Sequence, residues 1–359
     1  MNQLTLWFRR QFDNPQIVFL VFALLGLMAL VFFFGSYLGP VFAAVVIAYL
    51  MQGFVTKLEK LGCNHLLATV FAFVLFMLFV FVILFGLFPS LARQASQLIK
   101  QTPVIINSVQ DLIIQLQSKY PEYVTQEQIS GAMTNLGAAL IEGGQGIVGF
   151  SLVSLVTFFE VMLYFILVPL LVFFMIRDRE KIVDWFSKLL PENHELAAKV
   201  WVEVNDQIGN YIRGKVWEIL IVGAAAYIMF RFLGLEYAEL LAVLTGLSVL
   251  IPYIGAAAAT LPVCGVAFFQ FGWGAELAKV FFAYGFLQAL DGNVLVPFLF
   301  SEVVDLHPVA IIVAILFFGG IWGFWGLFFA IPFATVVQAT LRSWPRQPSV
   351  IDDGQTVDV

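Results

Sequence analysis

Apolar residues run along this chain in long unbroken blocks, without the alternation or the three-to-four spacing of a half-buried soluble element. No charge occurs from Gln16 to Thr56. A helix crossing a bilayer takes about 20 apolar residues, so this block predicts two helices. The turn signal Gly35-Ser-Tyr-Leu-Gly-Pro40 falls between them. Leu66–Phe88 predicts a third span, Gly143–Ile176 a fourth with Glu160 inside it, and Val216–Leu235 a fifth. Leu240–Ala275 and Pro308–Leu341 are free of charge, and Val280–Leu299 between them carries Asp291 near its centre.

The two longest late runs do not fit one span each. As straight helices they would be about 50 Å long, against a hydrocarbon core of about 30 Å. Both are interrupted, the first at Leu250-Ile-Pro252-Tyr253-Ile-Gly255 and the second at Gly319-Gly320-Ile-Trp-Gly323-Phe-Trp-Gly326. Such interruptions in paired apolar runs point to discontinuous helices or re-entrant hairpins. A tilted, proline-kinked helix that extends past the bilayer satisfies the same pattern. The expected fold is an all-α polytopic membrane protein with about eight membrane-embedded segments, two of them broken or re-entrant. Eight full spans satisfy it, as do six spans plus two hairpins entering from opposite faces.

Two polar stretches separate the blocks. In 89–145, Val109, Leu112 and Leu116 and then Ile129, Met133, Leu136 and Leu140 recur at helical spacing, punctuated by Pro103 and Pro121. This predicts short amphipathic extracytoplasmic helices. In 177–214, the cluster Arg177-Asp-Arg-Glu-Lys181 precedes a stripe of Leu196, Val200, Val204, Ile208 and Ile212, a cytoplasmic helix running into the fifth span. The chain thus divides into a three-span bundle (1–88), the extracytoplasmic segment (89–145), the fourth span (146–176), the cytoplasmic helix (177–214), a C-terminal transport bundle (215–341) and a polar tail (342–359).

Composition sharpens this picture. Hydrophobic residues make up 61% and charged residues 12% of the chain, where soluble domains carry about 45–50% and 25%. A water-soluble fold is excluded. The net charge of −6 excludes a basic surface for nucleic acid. Cys63 and Cys264 lie far apart, and His65, His194 and His307 fall in three separate stretches, so no disulfide framework, metal site or cofactor is expected. Lys and Arg gather before the first span, between the second and third, throughout 177–215 and after the last. By the positive-inside rule both termini are cytoplasmic and 89–145 is outside.

Little chemistry is visible. Gly209-Asn-Tyr-Ile-Arg-Gly214-Lys215 matches seven positions of a phosphate-binding loop. Its eighth is Val216 rather than Ser or Thr, and it lies on a helix with no strand before it. No intramembrane nucleophile or acid–base constellation appears, so the chain is not expected to be an enzyme. Asp291 is the sharpest single residue, because a charge at bilayer centre costs about 2.5–3.5 kcal/mol and marks a pathway or a buried partner. Gln288 shares its helix face, and Asn293, Gly292 and Pro297 suggest local unwinding. Glu160 is the second intramembrane acid. Trp322 and Trp325, within the second break, either line a passage or fill space beside glycines.

The set Leu250-Ile-Pro252-Tyr253-Ile-Gly255, Asp291-Gly-Asn293-Val-Leu-Val-Pro297, Leu306-His307-Pro308 and Gly319-Gly320-Ile-Trp-Gly323-Phe-Trp-Gly326 with Ala330-Ile-Pro332 resembles the autoinducer-2 exporter family, in its PerM-like permease branch. The resemblance covers nearly the whole chain. It implies a bacterial inner-membrane permease for a small solute, assembled as a homo-oligomer, with pentamers among the forms the family allows. Autoinducer-2 is the cargo attributed to some members and sodium–proton exchange the activity attributed to others. The expectation is a secondary transporter of a small polar solute, signal molecule or cation, coupled to protons or sodium. Its pathway would be lined by Asp291, Asn293, Gln288, Pro252, Tyr253, Gly255, Pro297, Gly319, Gly320, Gly323, Gly326 and Glu160. The alternative is a non-transporting membrane scaffold for envelope assembly.

Overall fold

A computed structural model describes residues 22, 26, 28–30, 32–35, 37–101, 155–188, 195–252, 254–300 and 306–342. Every regular element among them is helical: α1 (Gly39–Lys60), α2 (His65–Val82), α3 (Leu155–Arg177), α4 (Arg179–Ser187), α5 (Glu195–Phe232), α6 (Ala238–Ser248), α7 (Ile254–Phe271), α8 (Ala275–Leu290) and α9 (Pro308–Arg342). Helix α2 continues through a π turn at Ile83–Leu87 to Gln101, and α8 continues through a π turn at Asp291–Leu295 to Phe300. Most of the first expected span, residues 102–145 of the expected amphipathic segment 89–145 and the tail beyond Arg342 lie outside the described residues, whereas 89–101 continue the helix of α2.

Five described helices are long and apolar enough to cross a membrane, and a sixth follows if α3 and α4, bent by 78°, form one broken span. Their outer faces stay apolar and open, with Phe71, Phe79 and Phe85 of α2 and Phe281 and Phe282 of α8 exposed. A monomeric soluble protein rarely exposes contiguous apolar surface on this scale. The chain is a multi-pass integral membrane protein. The α1–α2 turn shows how local chemistry sets the element ends. Gly62 takes φ +94, open to glycine, and the Asn64 side chain accepts from the Leu66 N–H to cap α2.

The chain divides into two compact units, the first formed by Met1–Leu50, Phe174–Arg213 and Phe300–Val359, the second by Met51–Phe173 and Gly214–Leu299. In the first unit, α9 turns back on itself. Phe318 and Phe333 have ring centroids 4.9 Å apart, although fifteen residues of straight helix would separate them by about 22 Å along the axis. The turn falls at Gly323 (φ 56, ψ −128). Gly326 allows the close return, because a Cβ there would sit 1.9 Å from the Phe318 carbonyl oxygen. Pro332 in the returning arm has no N–H to give the Phe328 carbonyl. The buried Tyr211 hydroxyl donates to that carbonyl instead, at 3.3 Å. Along the same stretch of α5, Val200 and Val204 pack on Ala339, with Ile208 and Val336 beside them. The apolar stripe on this helix is thus spent on the returning arm of α9. Tyr49 of α1 donates to Asn205 of α5 at 2.9 Å.

In the second unit, α6 is too short to span a bilayer, at eleven residues or about 16 Å. It ends at Ser248, and α7 restarts at Ile254 after the Pro252 break. A Cβ on Gly255 would lie 1.7 Å from the Ser248 carbonyl oxygen, so the tip of this hairpin closes backbone against backbone. Its other end is tied down by side-chain amides. Gln270 donates to Gly234 O at 2.7 Å and accepts from Glu236 N at 2.8 Å. Gln94 accepts from Leu240 N at 3.1 Å and donates to Glu239 at 3.0 Å, and Ser90 also donates to Glu239.

Gly255→Ala forces a clash at that tip of the overpacking kind that costs about 1–3 kcal/mol or more. It should lower the thermal unfolding midpoint in detergent by several degrees, read from tryptophan fluorescence. Gly265→Ala, on the same helix with nothing within 4 Å of the added carbon, should leave the midpoint unchanged or slightly raised.

A candidate site where a buried core turns polar

Helices α5, α6 and α8 of the second unit each change character along their buried faces. Toward one end, Ala226 and Phe230 of α5, Leu241 of α6 and Val280 of α8 join Val263 of α7 in one apolar cluster. Continuing each face at three- and four-residue steps leads to Glu218 and Lys215 on α5, Thr245 on α6, and Gln288 and Asp291 on α8. Tyr284 sits at the junction, its ring stacked on Phe230 at 6.2 Å.

Lys215 and Glu218 are the centre of the polar half. Their side chains are 5% and 2% exposed, and Lys215 Nζ lies 2.7 Å from Glu218 Oε2. The same ammonium donates to Val249 O at 2.8 Å. Val249 caps the C-terminus of α6, where unpaired carbonyls carry partial negative charge. The Asp291 carboxylate is also within electrostatic range of both Lys215 and Glu218. One cation therefore serves two carboxylates and a helix end. Small residues permit this approach: a Cβ on Gly246 would lie 3.0 Å from Gly223 Cα, so α5 and α6 meet backbone to backbone one turn from Glu218.

The remaining expected pathway residues are distributed as follows. Gln288 and Asp291 face this cluster, and both polar atoms of Gln288 and Oδ1 of Asp291 are buried without a protein partner. Asn293 is exposed and donates to the Ala289 carbonyl of its own helix at 2.8 Å. The unwinding expected around Asp291 takes the form of a π turn, a widened ring that recurs at functional sites. Pro297 is exposed two residues beyond it. Pro252 and Gly255 form the α6–α7 tip beside Val249, and Tyr253 lies outside the described residues. Glu160 falls within α3, and its side chain is likewise outside them.

Gly319, Gly320, Gly323 and Gly326 build the turn of α9 in the first unit. Trp322 stacks there on Phe318 and meets Phe333 edge-on, and Trp325 packs on Phe329 and Phe42. Both tryptophans are half-buried and engaged in aromatic contacts around the turn. The stretch Gly209–Lys215 is continuous helix, so its backbone N–H groups are committed and cannot cradle a phosphate. No cluster of His, Cys, Asp and Glu suited to a metal occurs among the described residues.

An uncharged-block pattern puts Lys215 at the boundary of the fifth expected span and gives no weight to Glu218 just inside it. The available signal was their spacing. An i, i+3 pair of opposite charge on the buried side of an apolar helix can neutralise itself on entering the membrane.

A profile of the AI-2E family transporters matches residues 17–346. The chain belongs to the AI-2E transporter family. It is 43% identical over 345 residues to the protein named "Putative permease PerM" of Escherichia coli (strain K12), covering 96% of this chain and 98% of that one. It is 26% identical over 319 residues to "Putative transport protein YrrI" of Bacillus subtilis (strain 168), covering 86% of each. This AI-2E member is therefore a multi-pass membrane transport protein, in agreement with the resemblance read from its motifs.

In this transporter, Lys215→Met strands Glu218 and Asp291 with no cation. Breaking a buried pair by removing one partner costs about 3–5 kcal/mol. The variant should unfold well below the wild type in detergent. Lys215→Met combined with Glu218→Leu should recover part of that loss, because the pair is then replaced by apolar groups while Asp291 stays without its cation. Equal melting of the single and double variants would show that the two charges are not coupled.

Proposed function

We propose that this AI-2E member is a secondary transporter of a small polar solute, and that Lys215, Glu218, Asp291 and Gln288 form its coupling and binding site. The buried Lys215–Glu218 pair with Asp291 alongside is the observation that carries this reading. Intramembrane charges of this kind mark substrate and ion pathways. Secondary rather than primary transport fits a chain whose one phosphate-loop-like stretch is helical.

The broken hairpin α6–α7 supports the same reading. Its Val249 carbonyl is held by the ammonium of the site, so a change in the charge on Glu218 or Asp291 alters the restraint on a helix end. That is the coupling alternating access requires, with a half-helix terminus exchanging its ionic partner as solute or ion enters. In the bilayer, the α6–α7 and α9 hairpins act as re-entrant segments, and the functional form is a homo-oligomer in the bacterial inner membrane. The transported solute belongs to the class of autoinducer-2 or a monovalent cation, with a proton or sodium ion as the coupling partner.

The test is flux in proteoliposomes loaded with a pH-reporting dye and challenged with small polar solutes, autoinducer-2 and sodium among them. Wild type should give a solute-dependent pH change. Asp291→Asn should slow it by about tenfold or more, the effect of losing a charge-assisted contact of about 1.5–3 kcal/mol. Unchanged flux in a folded Asp291→Asn protein would remove this site from the mechanism.

A further inference from the structure

The stripe Tyr284–Gln288–Asp291 holds more polar capacity than the protein satisfies. The three residues lie four and three apart on α8 and share one face. The Tyr284 hydroxyl, both ends of the Gln288 amide, Asp291 Oδ1 and the Thr245 hydroxyl opposite on α6 are all buried without a protein hydrogen-bond partner. Tyr284 and Thr245 are 2% and 0% exposed. The Thr245 and Thr260 hydroxyls lie near the Tyr284 phenol without closing a well-formed hydrogen bond to it. Thr260 gives its own proton to Ala256 O at 2.8 Å.

Buried polar atoms are almost always paired, and where protein does not pair them water does. Five of these orphan atoms gather in one place. They line one helix face over about 10 Å, from the hydroxyl pair at Tyr284 and Thr245 to the carboxylate at Asp291. Donors and acceptors are mixed along the line, as a file of water needs. At one end stands dry aromatic packing on Phe230, and at the other a set of charges with one ammonium for two carboxylates.

We propose that this face is a hydrated track that delivers a single exchangeable proton to Asp291. Water bridges Thr245 and Tyr284 to the Gln288 amide and then to Asp291 Oδ1. A hydronium in the file gives its proton to the Asp291 carboxylate, leaving a neutral carboxylic acid and one water. Lys215 is then balanced by Glu218 alone. When the proton leaves, Lys215 faces two carboxylates and its hold on Val249 O weakens. The titratable and charged groups around the track are Lys215 and Glu218 on α5, Cys264 on α7 and Tyr284 on α8. On α6 only the neutral Thr245 faces it, since Glu239 is engaged with Ser90 and Gln94 at the far end.

This inference rests on the coupling role proposed for Asp291, and its test separates the two. Radiolytic hydroxyl footprinting in lipid nanodiscs labels side chains that touch bound water, even when they are buried. Tyr284 should label several-fold faster than its stacking neighbour Phe230, which is fully buried. Gln288→Leu should slow Tyr284 labelling without lowering the unfolding temperature. An infrared difference spectrum between acid and alkaline conditions should show a protonated-carboxyl band that Asp291→Asn removes. Labelling of Tyr284 no faster than of Phe230 would overturn the track, while flux lost in Asp291→Asn would still uphold the coupling site. A band that persists in Asp291→Asn would overturn the assignment of the proton to Asp291.

Discussion

A lysine ammonium cannot be carried into an apolar helix bundle unless negative charge meets it there, and the second unit of this transporter is arranged around that need. Lys215 brings its own counter-charge one turn along in Glu218, and takes a second acceptor from the end of α6. Desolvating two ions is expensive, and a pair of this kind is a weak source of stability. Its value is positional. The ammonium closes the open carbonyl end of α6, just before the Pro252 break that sets the tip of the α6–α7 hairpin.

Broken helices raise a related problem, because each break frees carbonyls that a membrane interior cannot solvate. The chain answers it with side chains from α5. Lys215 serves the carbonyl of Val249 at the end of α6, and Tyr211, four residues earlier on the same helix, serves the carbonyl that Pro332 leaves open in α9. The glycines work in the opposite sense. Gly255 and Gly326 let backbone approach backbone closely, against the carbonyls of Ser248 and Phe318. Proline opens a site, glycine closes the space around it, and a polar group from α5 completes the hydrogen bonding.

Much of this was legible in the sequence. Several of the uncharged blocks coincide with helices long and apolar enough to cross a membrane, and proline and glycine clusters marked the interruptions at 250–255 and 319–326, because those residues act locally through φ and the missing N–H. Asp291 and Gln288 were legible as a shared helix face. The stripe on the N-terminal half of α5 was also readable, and it packs on α9 at Val200 and Val204. What could not be read was pairing between helices. Nothing near Lys215 announces Val249, thirty-four residues on, or Asp291. A charge at the edge of an apolar block looks solvated until the neighbouring helices are in place. Asn293 shows the converse, since its proximity to Asp291 in sequence gave no warning that it satisfies its own helix instead.

The π turn at Asp291–Leu295 has an effect on phase. A regular helix would carry the buried stripe of Tyr284, Gln288 and Asp291 on to positions 295 and 298. Phe298 is instead 81% exposed, while Phe300 is buried and lies beside Tyr211 in the first unit. One extra residue in a single turn rotates everything beyond it by about 100°. One helical segment therefore presents two differently oriented faces, a polar one before the turn and an apolar one after it. The change of face is achieved by winding alone, within one helical run from Ala275 to Phe300.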